Sequence, residues 1–196
     1  MSFLDASCTF RILDKETMKQ CPGFSCGHDD LDNFFYEESE SYNTQLIGKS
    51  YCFILNENPE IVCAFTVSNA SIRVDNLPSS RKNKLIKNIP HEKHFNNYPA
   101  VLIGRLGVNK NYVRTGIGSE LMYFMKHWFV DLQNKTGCRY LIVDSYNDPI
   151  PLEYYKKNGF DFIFSTENQE KEYTHSKAED KLSTRLMYFD LIRCQV

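Results

Sequence analysis

A mixed α/β domain built on a substantial sheet is the fold class this chain predicts, and three observations predict it. From residue 100 onward the segments alternate strand, helix, strand, helix, strand. The longest helical pattern, 116–133, carries Ile117, Leu121, Met125, Trp128 and Leu132 on one apolar stripe, at steps of four, four, three and four. No internal repeat, low-complexity tract or Pro/Gly/Ser linker interrupts the 196 residues, so one domain over 1–196 is expected. A chain of this length can bury a core without disulfides or a metal.

Residues 10–13 read as a short first strand. Asp29 or Asp30 can cap a helix running through Leu31, Phe34, Phe35 and Glu38, whose apolar members recur every three to four residues. Residues 50–55 and 61–68 are β-rich runs joined by Asn56-Glu57-Asn58-Pro59-Glu60, which predicts a hairpin with Glu57 and Glu60 as solvated turn acids. Residues 77–90 carry a weak helical pattern in Leu85, Ile86 and Ile89, closed by Pro90. Residues 100–108 and 138–144 read as central strands, the second buried to judge from Tyr140-Leu141-Ile142-Val143. A short helix over 149–158 is stopped by Gly159, the residue type suited to a left-handed C-terminal turn. Strands over 160–165 and 184–191 complete the sheet, and the polar stretch 166–181 between them predicts a loop with a disordered centre.

Hydrophobic residues make up 42% and charged residues 24%, ordinary values for a soluble globular protein. The apolar runs at 61–65 and 140–143 are strand-sized, which excludes a membrane span. The opening MSFLDASCTF has neither a basic nor an apolar signal region, so a cytosolic, cytoplasmic protein is expected. Cysteines stand at 8, 21, 26, 52, 63, 138 and 194, an odd number and scattered. Cys21 and Cys26 with His28 nearby lack a matching second pair, so no metal is expected, and free thiols in a reducing compartment fit better.

The net charge of -2 argues against a surface that is basic throughout, as nucleic-acid binders usually are. Charge is uneven, however. Between Arg73 and His94 stand six Lys/Arg (73, 81, 82, 84, 87, 93) and two acids (75, 92), which fits a solvated helix face or a phosphate-binding patch.

The segment from Val108 to Ser119 joins a strand to a helix and holds Gly116 and Gly118 at the turn. Glycine removes Cβ atoms where a ligand must touch backbone. The first N–H groups of a helix have no intrahelical partner, and the helix dipole adds partial positive charge there, so the turn can take an anion. Arg114 adds a formal charge beside it. Seven residues separate Val108 from Gly116 and no third glycine follows, unlike a dinucleotide loop; the Gly-Lys-Ser/Thr of a Walker loop is absent. A glycine pair that merely permits close packing remains the other reading of the loop alone.

Leu106-Gly107-Val108 followed by Val113-Arg114-Thr115-Gly116-Ile117-Gly118 resembles the acyl-CoA loop of the GNAT acetyltransferases. Asn147 and then Tyr155-Lys156-Lys157-Asn158-Gly159-Phe160 resemble that family's Asn and Tyr-x-x-x-Gly-Phe segment. The resemblance covers 100–165, and two motifs in this order, separated by a helix and a strand, form a specific signal. Val113 departs from the Gln or Arg usual at the first loop position, so one side-chain contact is lost there. Upstream, Phe24-Ser25-Cys26-Gly27-His28-Asp29-Asp30-Leu31-Asp32-Asn33-Phe34-Phe35 is similar to the opening of GNAT toxins from bacterial toxin–antitoxin modules, chiefly at Phe24, Cys26, Gly27 and Leu31.

The resemblance implies a single GNAT-like domain whose mixed central sheet is splayed between two parallel strands, with helices on both faces. It implies acetyl-CoA as co-substrate and a primary amine as acceptor. Leu106, Gly107 and Val108 would bond the pantetheine arm, with Asn147 on the other side. Val113, Arg114, Thr115, Gly116, Ile117, Gly118 and Ser119 would hold the diphosphate. Tyr155 would be the catalytic acid: an ordinary tyrosine pKa of about 10 exceeds that of a thiol, and its hydroxyl is a donor at neutral pH. A buried ring with its hydroxyl satisfied by backbone is the alternative for Tyr155, and Tyr154 reads as packing. No general base stands out, His127 and His175 reading as solvated. The toxin likeness implies aminoacyl-tRNA as acceptor and an antitoxin as partner. A small amine, a protein amine or a non-catalytic acyl-CoA-binding module stay open, as does assembly into a homodimer.

Overall fold

A computed structural model describes residues 2–91, 94–177 and 179–195. In chain order its elements are α1 (Phe3–Ser7), β1 (Cys8–Ile12), α2 (Lys15–Gln20), α3 (Asp29–Asn33), a π-helical turn (Phe34–Glu38), α4 (Ser39–Thr44), β2 (Lys49–Leu55) and β3 (Ile61–Arg73). Then follow α5 (Ser79–Ile86), β4 (Asn97–Val108), a 3-10 turn (Lys110–Tyr112), α6 (Ile117–Val130), β5 (Tyr140–Tyr146), α7 (Pro149–Lys157), β6 (Asp161–Phe162), α8 (Glu167–Thr174), β7 (Thr184–Asp190) and a last 3-10 turn (Leu191–Cys194). The sheet has seven strands in the order β1-β2-β3-β4-β5-β7-β6 and is mixed, β4 running parallel to β5. That is the α/β class the alternation from residue 100 predicts.

The chain divides into two compact units, Met1–Ser68 with Ile103–His127 and Asn69–Leu102 with Trp128–Val196. In the first, β1, β2 and β3 pair antiparallel, and Leu13, Phe24, Phe34, Phe35, Cys52 and Ile61 form one core cluster. Phe124 of α6 covers another part of these strands, its ring 4.9 Å from both Phe10 and Phe53. In the second, β7 pairs antiparallel with β5 from Tyr140↔Asp190 to Tyr146↔Thr184, and also with β6. Tyr140 is fully buried there, and its hydroxyl donates to the Leu85 carbonyl at 2.8 Å, so the one polar atom of a core ring is satisfied. Among the described residues no helix is long and apolar enough to cross a membrane.

Local physics accounts for the departures from expectation. The helix expected over 29–38 is interrupted by its π turn, where the Ser39 hydroxyl donates to the Phe35 carbonyl at 2.8 Å and the Tyr36 hydroxyl to Phe24 at 3.0 Å. His28 takes the cap position with no capping bond from its side chain, and Asp29 and Asp30 lie inside the first turn. The stretch 166–181, expected as a loop, contains α8, capped by the Thr166 hydroxyl and ended by His175 at φ +56°. Helix α6 stops at Val130, so Leu132 falls off the expected stripe and is 97% exposed. The strand expected over 160–165 shrinks to Asp161–Phe162. Helices α1 and α2 are short, yet each carries a side-chain cap, from Ser2 and Asp14.

All seven cysteines are free thiols. Burial pushes the Cys52 thiol up to about 12 and the Cys63 thiol well above its ordinary 9.0, because the thiolate cannot be solvated in the core. The folded pKa is raised, so this stabilisation is complete below about pH 9 and is lost progressively as pH climbs toward 12. The denaturant midpoint should therefore be flat from pH 7 to about 8.5 and fall between about pH 9 and 11. Cys52→Ala with Cys63→Ala should flatten that fall, and an unchanged slope would remove the thiols as its cause.

Candidate active site

Strand β4 ends where the first unit's site begins. A Cβ on Gly107 would stand 3.0 Å from Cys26 Cβ and 3.2 Å from Phe35, so only glycine lets the strand lie this close to the segment before α3. That segment is tied by Asp32, whose carboxylate accepts from the Ser25 hydroxyl (2.7 Å), the Cys26 amide (2.8 Å) and the Cys26 thiol (3.0 Å). The Ser25 carbonyl in turn accepts the Lys110 amide at 2.8 Å. The upstream signature around Cys26 is thus packed against the strand end and the turn beyond it. Earlier on β4, Arg105 lies with its guanidinium 5.0 Å from the Phe34 ring centroid.

After the 3-10 turn the backbone runs extended at Val113, left-handed at Arg114 (φ +65°), and positive again at Gly116 (φ +98°). A left-handed arginine is an uncommon, strained conformation. Here it carries the chain from the 3-10 turn into the N-terminus of α6, where helix amides can take an anion. The amides of Arg114, Gly116 and Ile117 have no hydrogen-bond partner among the described residues. Val113, Arg114, Thr115, Gly116 and Ser119 are exposed, whereas Ile117 is buried and roots the helix. Gly118 opens the first turn of α6 beside them. The fit to a diphosphate rests on these donors and on the charge of Arg114.

Glu60 is not the solvated acid expected from its turn. Its carboxylate accepts from Asn111 Nδ2 (2.9 Å), Asn109 Nδ2 (3.3 Å) and the Tyr112 hydroxyl (2.8 Å). Nothing in a single sequence links a hairpin acid to a tyrosine 52 positions on.

The second unit holds Asn147 and Tyr155. The Asn147 amide N–H bonds Ser183 O at 2.8 Å, while Nδ2 donates to Leu182 O (2.9 Å) and Glu167 (3.2 Å). Both its side-chain protons are therefore engaged within this unit. Gly159, at φ +79°, reverses the chain after α7. This turn brings the Phe160 amide to the Tyr155 carbonyl (3.0 Å) and the Phe160 ring to 5.4 Å from the Tyr155 ring. The spacing Tyr-x-x-x-Gly-Phe thus describes one turn that fixes the tyrosine. Tyr155 is half-buried, its hydroxyl has no hydrogen-bond partner among the described residues, and burial pushes its pKa well above the ordinary tyrosine value. Tyr154 packs against it, rings 5.0 Å apart.

Residues 19–160 match the family model described as the Acetyltransferase (GNAT) family. The chain belongs to this family. Solved GNAT toxins share its fold: KacT, crystallised as a tyrosine-to-phenylalanine mutant, is 18% identical with a TM-score of 0.65, over 96% of this chain and 98% of that one. AtaT complexed with acetyl-methionyl-tRNAfMet is 18% identical with a TM-score of 0.64, over 96% and 97%. AtaTR bound with AcCoA is 17% identical with a TM-score of 0.64, over 96% of each chain.

The basic segment of this GNAT protein is less available to an anion than its composition implies. Arg73 pairs with Asp75 at 2.7 Å and Lys84 with Asp161 at 2.9 Å. Arg81 donates to the carbonyls of Ile163 (2.6 Å) and Phe162. Glu92 and Lys93 lie outside the described residues, which leaves Lys82 and Lys87 without an ion-pair partner among the described ones. The His91 and His94 rings lie 5.0 Å apart and tilted, and His127 is exposed on α6 against Tyr123.

Proposed function

We propose that this chain moves the acetyl group of acetyl-CoA to a primary amine, and that the amine is the α-amino group of an aminoacyl-tRNA. The observation that carries the first part is that the amides of Arg114, Gly116 and Ile117, at the N-terminus of α6, have no hydrogen-bond partner among the described residues, which with the charge of Arg114 suits the diphosphate of CoA. The backbone of Leu106, Gly107 and Val108 is assigned to the pantetheine arm. The Asn147 amide has its protons engaged, so its contact would be through the carbonyl oxygen.

The amine attacks the thioester carbonyl, a C–N bond forms, the C–S bond breaks, and the thiolate leaves. The amine loses one proton and the sulfur gains one. Holding the two reactants together supplies most of the acceleration. Tyr155 is assigned the hydrogen bond to the sulfur as its charge develops. Full transfer from a phenol of raised pKa to a thiolate whose conjugate acid lies near 8.5 is uphill, so its role is stabilisation by donation in a low-dielectric setting.

The acceptor assignment draws support from the opening segment around Cys26 and from a fold shared with AtaT, solved with acetyl-methionyl-tRNAfMet. An antitoxin partner is part of the same proposal, since AtaT has been solved with the C-terminus of AtaR. A small-amine or protein-amine acceptor is favoured by one observation: Arg73, Arg81 and Lys84 are already engaged within the unit. Labelled acetyl-CoA offered with charged tRNA, polyamines and peptides separates the two. Transfer to charged tRNA should fall steeply between 50 and 200 mM salt, as phosphate contacts require. No transfer to charged tRNA at low salt, with transfer to a polyamine or peptide, would give the acceptor to the second reading.

A further inference from the structure

The helix end of the diphosphate loop is closed by the Ser119 amide on the Gly116 carbonyl at 2.9 Å. Before it, the Thr115 amide (3.3 Å) and hydroxyl (2.6 Å) both go to one atom, the Tyr112 carbonyl. Tyr112 is fixed in turn by its amide to Asn109 O at 2.8 Å and by its hydroxyl to Glu60 at 2.8 Å. The other oxygen of Glu60 takes Asn111 and Asn109, two further side chains of the same turn. We infer that Glu60 is a positioning residue for the diphosphate loop: from the β2–β3 hairpin it holds the turn at 109–112, and through Tyr112 the loop that follows. The inference rests on the reading that this loop takes the CoA diphosphate.

Hydrogen bonds to a carboxylate are the strong kind, and three of them converge here. Holding an exposed loop in its binding conformation removes the ordering cost that ligand would otherwise meet. A charge-only argument gives the opposite sign. A carboxylate near a diphosphate should repel it, so neutralising Glu60 should tighten binding; the brace requires that it weaken.

Calorimetric titration with coenzyme A, paired with acetyl-transfer kinetics, decides between them. Glu60→Ala should raise the Kd for coenzyme A about tenfold, with a matching rise in KM for acetyl-CoA and kcat unchanged at saturation. Glu60→Gln, which keeps one acceptor oxygen, should lie between. Tyr112→Phe keeps the charge and the ring yet should weaken binding in the same direction, and Glu60→Ala with Tyr112→Phe should be no worse than Glu60→Ala alone, since both cut one path. If the unaltered protein fails to bind coenzyme A, the diphosphate reading falls and the brace with it. If it binds and the folded variants bind equally well or tighter, the brace alone is overturned.

Discussion

Tyr155→Phe should lower kcat for acetyl transfer by about 10²–10³, the usual worth of one hydrogen-bond donor aimed at developing charge, and leave the Kd for coenzyme A within about threefold. The second half of that expectation follows from the structure as directly as the first. The hydroxyl has no hydrogen-bond partner among the described residues, so deleting it strands no buried group. The ring keeps its contacts with Tyr154 and Phe160, and the backbone bond from Phe160 is untouched. A donor with no structural employment is the pattern expected of a group reserved for a ligand. The pH profile adds a check. Because burial raises the pKa, the phenol stays protonated through pH 9, and Tyr155 should contribute no alkaline limb to kcat below about pH 10. Unchanged turnover in Tyr155→Phe, with folding intact, would remove the residue from the chemistry.

The parts legible in sequence are those where local pattern and tertiary role coincide. Tyr140 to Val143 read as a buried strand because strands inside a sheet are apolar on both faces, and all four residues are buried. Gly159 and Phe160 read as a motif because the turn they make is local. The loop at 113–116 was legible in its glycine but not in its conformation: the left-handed residue beside Gly116 is Arg114, which no propensity favours there. What the sequence hid depends on partners far along the chain. Glu60 reads as a turn acid until Asn109, Asn111 and Tyr112 are folded onto it. The basic run at 73–94 reads as a solvated helix face or a phosphate patch until Asp161 and the carbonyls of Phe162 and Ile163 absorb Lys84 and Arg81. The stretch 166–181 reads as a loop with a disordered centre because its charges look solvated. One of them is not.

That residue is Glu170, only 2% exposed, and it supports the second large effect. Its carboxylate accepts from Arg185 Nε at 2.6 Å and from the Leu186 amide at 2.5 Å, which docks α8 on β7. Arg185 is 7% exposed, lies 4.5 Å from the Phe162 ring centroid, and approaches Glu167 at 3.7 Å, the same acid that accepts from Asn147. Removing one partner of such a pair leaves a charge without solvent or counter-ion, so Arg185→Leu should cost about 3–5 kcal/mol in urea unfolding. The pair as a whole is another matter, since taking both charges out of water offsets most of their attraction. Arg185→Leu combined with Glu170→Gln should therefore recover most of the loss, because the amide oxygen still accepts from Leu186 and no bare charge remains. The same single change should loosen the Asn147 turn and raise KM for acetyl-CoA more than it lowers kcat. A cost below about 1 kcal/mol for Arg185→Leu, or a double variant no more stable than the single one, would mean that the pair is open to water and that α8 is held by something else.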